Sequence, residues 1–573
     1  MRRIFPKGRG VRTALAKRMT RIKRAFGTKR LLLLGGAMLV MSAWAGYEGH
    51  RGRTAVVGME GTAGYSNPQR KMDGRMYASG MPIVGETITL RAAVRKTVTH
   101  GDFSQMQTIK DLEKAANIRF EWDQIPSETY TEKKKWMFLN DELPDVFFSG
   151  LTSSDVVRYG SQGLLIPLEE LIDKYAPNIK KVFDAYPEVR KASTTPDGHI
   201  YSLSFMEAND YMVYRNHLAI NREWLDKLGL EVPTTTDELY RVLRAFKDLD
   251  PNGNGKQDEI PLASLYGGIN QNFHALFNAF GVLNPDGSKL AVKDGIVRYE
   301  PIQPEYKDAI RYIHKLYAEQ LIDPETFTQD AKRFMAKGSA AEIVYGAFTA
   351  FLGNVELGSL ERLKRYTFVP PLAGPDGHRT WRRQDNRITP NTFSITSTNK
   401  YPEATMRLID AMNEEDTAFQ LWRGPYGSHI RKEADGKIRQ NPLPERKTVL
   451  EAWIGEAAPY NSFPLYFTKT MMDNYVLDET SSLRNDAYKL YKPYIVSEEE
   501  TYPQYMYYTV GQLQQLQTLD ADIQSYQSAM EAKWIIEGGI DEEWDRYIAE
   551  LHKMGLDRKI RIHQDAYDAY RRF

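Results

Sequence analysis

Apolar and polar positions alternate in ETITLRAAV, with Ile88, Leu90, Ala92 and Val94 on one face, and this period of two predicts a strand. The period then lengthens. Met106, Ile109, Leu112 and Ala116 recur at helical spacing and predict a helix over 105–116. IRFEW reads as a second strand, 133–139 as a short helix, and LPDVFFSG as a third strand running into a loop. Strand, helix and strand in this order predict a parallel α/β sheet. Ligands of open α/β sheets sit at the carboxyl ends of strands, which singles out Ser149, Gly150 and the loop to Ser154.

Farther along, Thr235 and Glu238 are spaced as a capping box. The helix they start is expected to bury Leu239, Val242, Leu243, Phe246 and Leu249. Tyr306, Ile310, Ile313 and Tyr317 mark another amphipathic helix, and AAEIVYGAF a strand near Tyr345. The stretch RYTFVPPLAGPDGHRTWRRQDNRITPNTFSITSTN is rich in Pro, Gly and Thr and reads as extended pieces. Pro402 opens a helix expected to run through Trp422. The C-terminal third is helical: Ile523, Tyr526, Met530 and Trp534 share a face that stops at Gly538-Gly539, and helices follow over 541–555 and 557–570. No internal repeat is present.

A chain of 573 residues is too long for one core, so two or more domains are expected. The net charge of +1 conceals an asymmetry. Residues 1–45 hold 12 Lys and Arg and no acid, and the remainder carries 64 basic against 75 acidic residues. That balance argues against a nucleic-acid-binding body. Cysteine is absent, which excludes disulfides, zinc–thiolate sites, thiol nucleophiles and lipid attachment at cysteine. Residues 31–45 form an apolar run of 15, short of the about 20 a membrane span needs. It follows a basic region and ends in Ala43-Trp44-Ala45, so 1–45 reads as an export signal cut near Ala45–Gly46. An uncleaved N-terminal anchor is the alternative. Residues 46–85, with glycines throughout, read as a linker.

The stretch DPNGNGKQDEIP carries candidate metal chemistry. Hard cations such as calcium take about six to eight oxygen ligands. Asp250, Asn252, Asn254 and Asp258 fall at positions 1, 3, 5 and 9 of an EF-hand-like loop. Gly255 stands at the turn position, and the Lys256 carbonyl is the expected backbone ligand. The loop departs at its end: Glu259 comes at position 10, and Pro261 occupies position 12. Helix, calcium loop and strand is therefore the expectation; a metal-free Asx/Gly turn is the alternative.

The block NREWLDKLGLEVPTTTDELYRVLRAFKDLDPNGNGKQDEIPL resembles the extracellular solute-binding proteins of bacterial ABC importers. It looks most like the large Paenibacillus/Bacillus-type branch and the periplasmic alginate-binding proteins. ELPDVFF, YTFVPPLAGPDG, FSITSTNKYPEATMRLIDAM and the closing segment from DIQSYQSAMEAKW onward fit the same family. The resemblance implies an α/β periplasmic-binding-protein type II fold: two lobes, a hinge, a ligand cleft and a helical C-terminal region. It implies lobe 1 over 86–205 and 367–413, and lobe 2 over 206–366 and 414–573 with the cation loop 250–259. It also implies structural calcium held by Asp250, Asn252, Asn254, Lys256, Asp258 and Glu259. The implied activity is binding rather than catalysis. A saccharide would be captured by lobe closure and delivered to the permease subunits of an ABC transporter at the cell surface, by a monomeric receptor. Relatives often read G-x-E-G after the Pro402 helix, where this chain has Gly424-Pro425-Tyr426-Gly427.

Sugar clefts combine aromatic faces with a few placed polar groups. Trp381, Arg382, Arg383, Asn386, Tyr345, Trp422, Tyr426 and Ser149 are the candidate ligand residues. Adjacent arginines could pair with an acidic sugar's carboxylate. Each aromatic has core packing as its alternative, and Trp224, Trp534 and Trp544 are assigned to packing outright. His100, His199, His274, His314 and His429 lack metal-ligand spacing. No catalytic motif is recognisable. A secreted polysaccharide hydrolase or lyase, or a surface-tethered adhesion module, remain the alternatives.

Overall fold

A computed structural model describes residues 72–73, 75–442 and 453–572, all within the second of two units of the chain, Val57–Phe573. The expected export signal lies outside the described residues, as does most of the expected linker. Strands of two sheets organise what is described. In chain order they are β1 (Ile88–Lys96), β2 (Ile118–Pro126), β3 (Val146–Phe148), β4 (Leu203–Glu207), β5 (His217–Asn221), β6 (Ile260–Ala263), β7 (Tyr345–Ala350), β8 (Tyr366–Val369), β9 (Ile388–Ile395) and β10 (Tyr466–Phe467).

The first sheet runs β10-β4-β9-β3-β1-β2. β1 buries Ile88, Leu90, Ala92 and Val94, as their alternation predicts. It pairs in parallel with β2 and β3, and helices α1 (Gln107–Ala116) and α2 (Ser127–Leu139) make the crossovers. The parallel expectation holds for these three strands and for the β4–β10 pair, and fails at β9. β9 inserts antiparallel between β3 and β4, carried there by a connection over residues 208–387 that no local pattern announces. Both faces of the sheet are covered. Leu90, Ala92 and Val94 belong to one core; Ala93, Ile125 and Phe147 belong to another on the opposite face.

The second sheet runs β8-β5-β7-β6. Helix α3 (Thr236–Asp248) covers it with Leu239, Val242, Leu243 and Phe246. Each fully buried side chain of this kind stabilises the fold by roughly 1.5–3 kcal/mol. Leu249, expected in the same stripe, is instead exposed, because the helix has already ended at Asp248. The cap also differs from the spacing prediction. Thr235 accepts from the Glu238 N–H at 3.1 Å, but the Glu238 carboxylate reaches one residue farther back, to the N–H and hydroxyl of Thr234. Helix α4 (Pro304–Ala318) and the C-terminal helices pack into the same core.

The expected helix from Pro402 to Trp422 is two, α5 (Pro402–Ala411) and α6 (Glu415–Arg423). Asn413 breaks it. Its amide donates to Ile409 O and Pro464 O, and its Oδ1 accepts from the Tyr466 N–H at 2.9 Å. One side chain thus ends a helix and sets the edge strand β10. In consequence, residues 415–442 and 453–476, expected in the second lobe, pack with the six-stranded sheet: Phe419, Trp422, Phe467 and Tyr475 share its core. Conversely β8, expected in the first lobe, joins the four-stranded sheet. Residues 75–85, expected as linker, also belong to the first lobe, where Ile83 and Val84 are buried.

After β10 come α7 (Glu479–Tyr491), α8 (Val510–Glu537), α9 (Ile540–Lys553) and α10 (Leu556–Arg572). Gly538 and Gly539 separate α8 from α9 at φ of 76° and 88°, a region glycine enters without steric cost. Trp534 and Trp544 are buried between these helices, as assigned.

Candidate functional site

The described chain passes between the two lobes three times, over 208–216, 370–387 and 477–509, and backbone hydrogen bonds lace the passes together. The N–H groups of Gln384 and Asn386 donate to Val213 O and Met212 O, both at 2.9 Å. The Trp381 N–H donates to Tyr494 O at 2.7 Å, and Val496 N–H returns to Trp381 O at 3.0 Å. Tyr211, Tyr214, Trp381, Tyr488 and Tyr491 fill a small core of their own around these bonds. Backbone lacing plus a local aromatic core makes this segment the hinge.

Beside the hinge lies a cavity of about 500 Å³. Arg215, Asp286, Arg382, Arg383, Asn386 and Tyr505 are among its walls. Arg382 is ion-paired with Asp286, and its N–H donates to Asn278 Oδ1 at 2.8 Å. Burial alone would raise the Asp286 carboxyl, but the Arg382 and His274 charges and the hydrogen bonds from Arg382 and Asn272 together outweigh it and hold the group below its ordinary range. Arg383 is freer, with Asp385 at 3.8 Å as its ion-pair partner. The Asn386 amide donates to Gln384 O at 2.9 Å.

Three of the candidates from the sequence, Arg382, Arg383 and Asn386, therefore share one cavity wall. Three others are core residues and do not line it. Trp381 is buried in the hinge with its ring edge-on to Tyr491, the centroids 4.7 Å apart. Tyr345 is buried beneath the second sheet, its hydroxyl donating to Phe334 O at 2.7 Å. Trp422 is buried 4.4 Å from the Phe467 ring. In each case a large apolar ring finds more contact in the core than at a wet cleft. Tyr426 lies on the first lobe, donating to Asp416 at 2.8 Å. Ser149 sits at the carboxyl end of β3 as expected, at φ 56°, its N–H donating to Thr392 O and its C=O accepting from the Tyr130 hydroxyl. It does not border the cavity.

Periodicity did not reveal a second group of charged residues. Glu207 ends β4 and Phe351 follows β7, so the carboxyl ends of both sheets are represented together. Burial pushes the Glu207 carboxyl up, opposed by the charges of Arg423 and Arg484. Arg484 donates to Tyr214 O at 2.9 Å. The strand-end rule that selected Ser149 would have selected Glu207 as well, had LSFME been read as a strand of the same sheet.

The cation loop joins α3 to β6, as the sequence predicts. Asp250 stands at φ 45°, and its carboxylate accepts from the N–H groups of Gly253, Asn254 and Gly255. Burial opposes ionisation there, but these three bonds prevail and keep the group below its ordinary range. The Asn252 and Asn254 amides donate to Asp258. Glu259 Oε1 is buried without a hydrogen-bond partner. Burial, then the neighbouring Asp250 and Asp258 charges, raise the Glu259 carboxyl. Among the described residues no three His, Asp or Glu side chains converge at metal-binding distance, so a cation here would draw on the amide oxygens too. An oxygen-only donor set with an orphaned buried carboxylate oxygen fits a hard cation.

Two α/β lobes, three hinge passes and a polar, arginine-lined cavity beside them define a hinged binding protein. The chain belongs to the bacterial extracellular solute-binding protein family, whose sequence profile matches residues 98–418. The fructooligosaccharide ABC transporter substrate-binding protein FusA of Streptococcus pneumoniae serotype 4 (strain ATCC BAA-334 / TIGR4) is 32% identical over 530 residues, 90% of this chain and 95% of that protein. The structure of S. pneumoniae FusA with kestose matches with a TM-score of 0.74 over 84% of this chain and 99% of that one. An EF-hand mutant of FusA with fructo-nystose gives 0.73 at 32% identity, over the same shares of the two chains. An HMO-binding, ABC-transporter-associated solute-binding protein from Bifidobacterium longum infantis ATCC 15697 is 25% identical, with a TM-score of 0.75 over 85% and 99%. Among the described residues no helix is long and apolar enough to cross a membrane.

Proposed function

We propose that this protein is the exported receptor of an ABC importer for an oligosaccharide. It captures its cargo in the cleft and passes it, as a monomer with closed lobes, to membrane permease subunits. The observation that carries the reading is the placement of the polar cavity at the hinge, where a ligand touching both sides would favour the closed arrangement. A ligand shifts such an equilibrium only by its differential affinity for the two states. Relatives that bind fructooligosaccharides and milk-type oligosaccharides support the saccharide class. The role is binding, without turnover.

A thermal-shift screen tests this. Fructooligosaccharides or milk-type oligosaccharides are expected to raise the melting temperature saturably and to be recovered unchanged. Release of smaller sugars would establish an enzyme instead, and no shift with any saccharide would remove the saccharide reading.

The loop is read as a structural calcium site. Asp250, Asp258 and Glu259 would supply carboxylates, Asn252 and Asn254 amide oxygens, and Lys256 its carbonyl. The ion would neutralise the crowded carboxylates and lock α3 to β6, away from the cavity. At tenfold excess over its dissociation constant such an ion stabilises the fold by about 1.4 kcal/mol. The melting temperature is therefore expected to be higher in calcium than in EDTA. The double variant Asp250→Ala, Asp258→Ala should melt identically in both. An unchanged wild-type melt in EDTA would defeat the site.

A further inference from the structure

A buried charge outside an ion pair is costly, because the solvation it loses is not replaced. The described residues gather such charges where the two sheets present their carboxyl ends. Arg423, at the end of α6, is 8% exposed, and its guanidinium carbon lies 3.5 Å from the centre of the Trp422 ring and 3.7 Å from that of Trp453. Arg484 of α7 is 3% exposed and lies 3.5 Å from the centre of the Phe351 ring. The Nε atoms of both arginines lack hydrogen-bond partners, and so does the buried Tyr475 hydroxyl. Among the described residues no carboxylate lies within 4.0 Å of either guanidinium. Glu207 lies close enough to feel both charges, with Asp478 also nearby, and its Oε1 accepts from Asn209 Nδ2 at 2.5 Å.

Two donor-only guanidiniums thus each stand within reach of the Glu207 carboxyl's charge without ion-pair contact. An anionic group would satisfy the arginines but would meet Glu207. A cation would do the reverse. A hydroxyl both donates and accepts, so two neighbouring hydroxyls can donate to Glu207 while accepting from the arginines. Arginine is suited to this because its planar fork is pre-oriented by ring stacking. The surrounding Trp453 and Phe351 rings supply apolar faces.

Resting on the saccharide-receptor reading, we infer that Glu207, Arg423 and Arg484 form a subsite at the carboxyl ends of the two sheets, apart from the Arg382–Asn386 wall, that recognises a vicinal diol of one neutral sugar ring and rejects an acidic ring there. Sugar hydroxyls would give the Nε–H groups of Arg423 and Arg484 acceptors.

The test uses the purified protein and titration calorimetry, with intrinsic tryptophan fluorescence as a second readout, because Trp422 and Trp453 flank Arg423. Neutral tri- and tetrasaccharides and a uronate trisaccharide are the probes. Arg423→Met is expected to leave the ligand-free melting temperature unchanged or higher, since it removes an unpaired buried charge. It should weaken the best neutral ligand about tenfold or more and shrink its fluorescence change. A lower melting temperature with unchanged affinity would make Arg423 structural and overturn the inference. Glu207→Gln, nearly isosteric, should weaken the neutral ligand while narrowing its advantage over the uronate. Unchanged affinities in that variant would overturn the inference, as would wild-type preference for the uronate. Wild-type protein that binds no saccharide at all would instead sink the receptor reading itself.

Discussion

Trp381→Ala is expected to destabilise the protein by about 3–5 kcal/mol, the range for truncating a large buried aromatic. The ring is 5% exposed and sits in the hinge core with Tyr211, Tyr214, Tyr488 and Tyr491. Its backbone joins the second pass to the third at Tyr494 and Val496. Truncation leaves the backbone bonds but opens a cavity where the lobes pivot. Denaturant unfolding monitored by circular dichroism should show the loss as a lower midpoint. Ligand affinity should fall as well, because a loosened hinge populates more arrangements that must be ordered on closure. A normal midpoint with lost affinity would place the Trp381 ring in the ligand's path and not in the hinge.

Glu531→Ala is expected to have an effect of similar size on stability and little on the cleft. Glu531 of α8 is fully buried against the second lobe. Its carboxylate meets His274 Nε2 at 2.8 Å and accepts from Gln527 Nε2 at 2.9 Å and from the Tyr306 hydroxyl. Burial alone would raise this carboxyl, but the His274 and Lys289 charges and the hydrogen bonds hold it down at about 2. Removing one partner of a buried charge pair costs about 3–5 kcal/mol, because the remaining charges are left uncompensated. The sign of the pH dependence follows from the depressed value. The stabilisation is present in full above the ordinary carboxylate value of 4.5 and is lost as pH falls toward about 2. Wild type should therefore lose stability below pH 4.5 more steeply than Glu531→Ala does. Equal acid sensitivity, or a loss below about 1 kcal/mol at neutral pH, would show that Glu531 carries no such charge.

Local patterns made much of the fold legible. The alternation in β1 depends only on which side chains the pleat turns inward, and the structure buries the predicted face. Four of the five residues assigned to the α3 stripe are buried, and the loop from Asp250 to Glu259 lies between helix and strand as its composition demands. What failed was what depends on distant partners. The sequence around Asn413 carries no sign that its side chain will hold Tyr466, 53 residues on, and so bring α6 and its successors into the first lobe.

The candidate site divides along the same line. Donor chemistry is a property of residue type, so the cation loop and the arginine-bearing segment at Arg382–Asn386 could be named from the sequence alone. Whether a tryptophan faces ligand or core depends on which rings surround it, and Trp381 and Trp422 both found aromatic neighbours from remote segments. Whether an arginine is free depends on a carboxylate that the chain brings from elsewhere: Asp286 reaches Arg382, while Arg423 is left unpaired among the described residues. Sequence by itself determined the local periods, the oxygen-rich loop and the family of the chain. Tertiary structure alone decided which strands share a sheet, which rings fill the hinge and which charges go unpaired, because burial and electrostatic pairing are set by residues far apart in the chain.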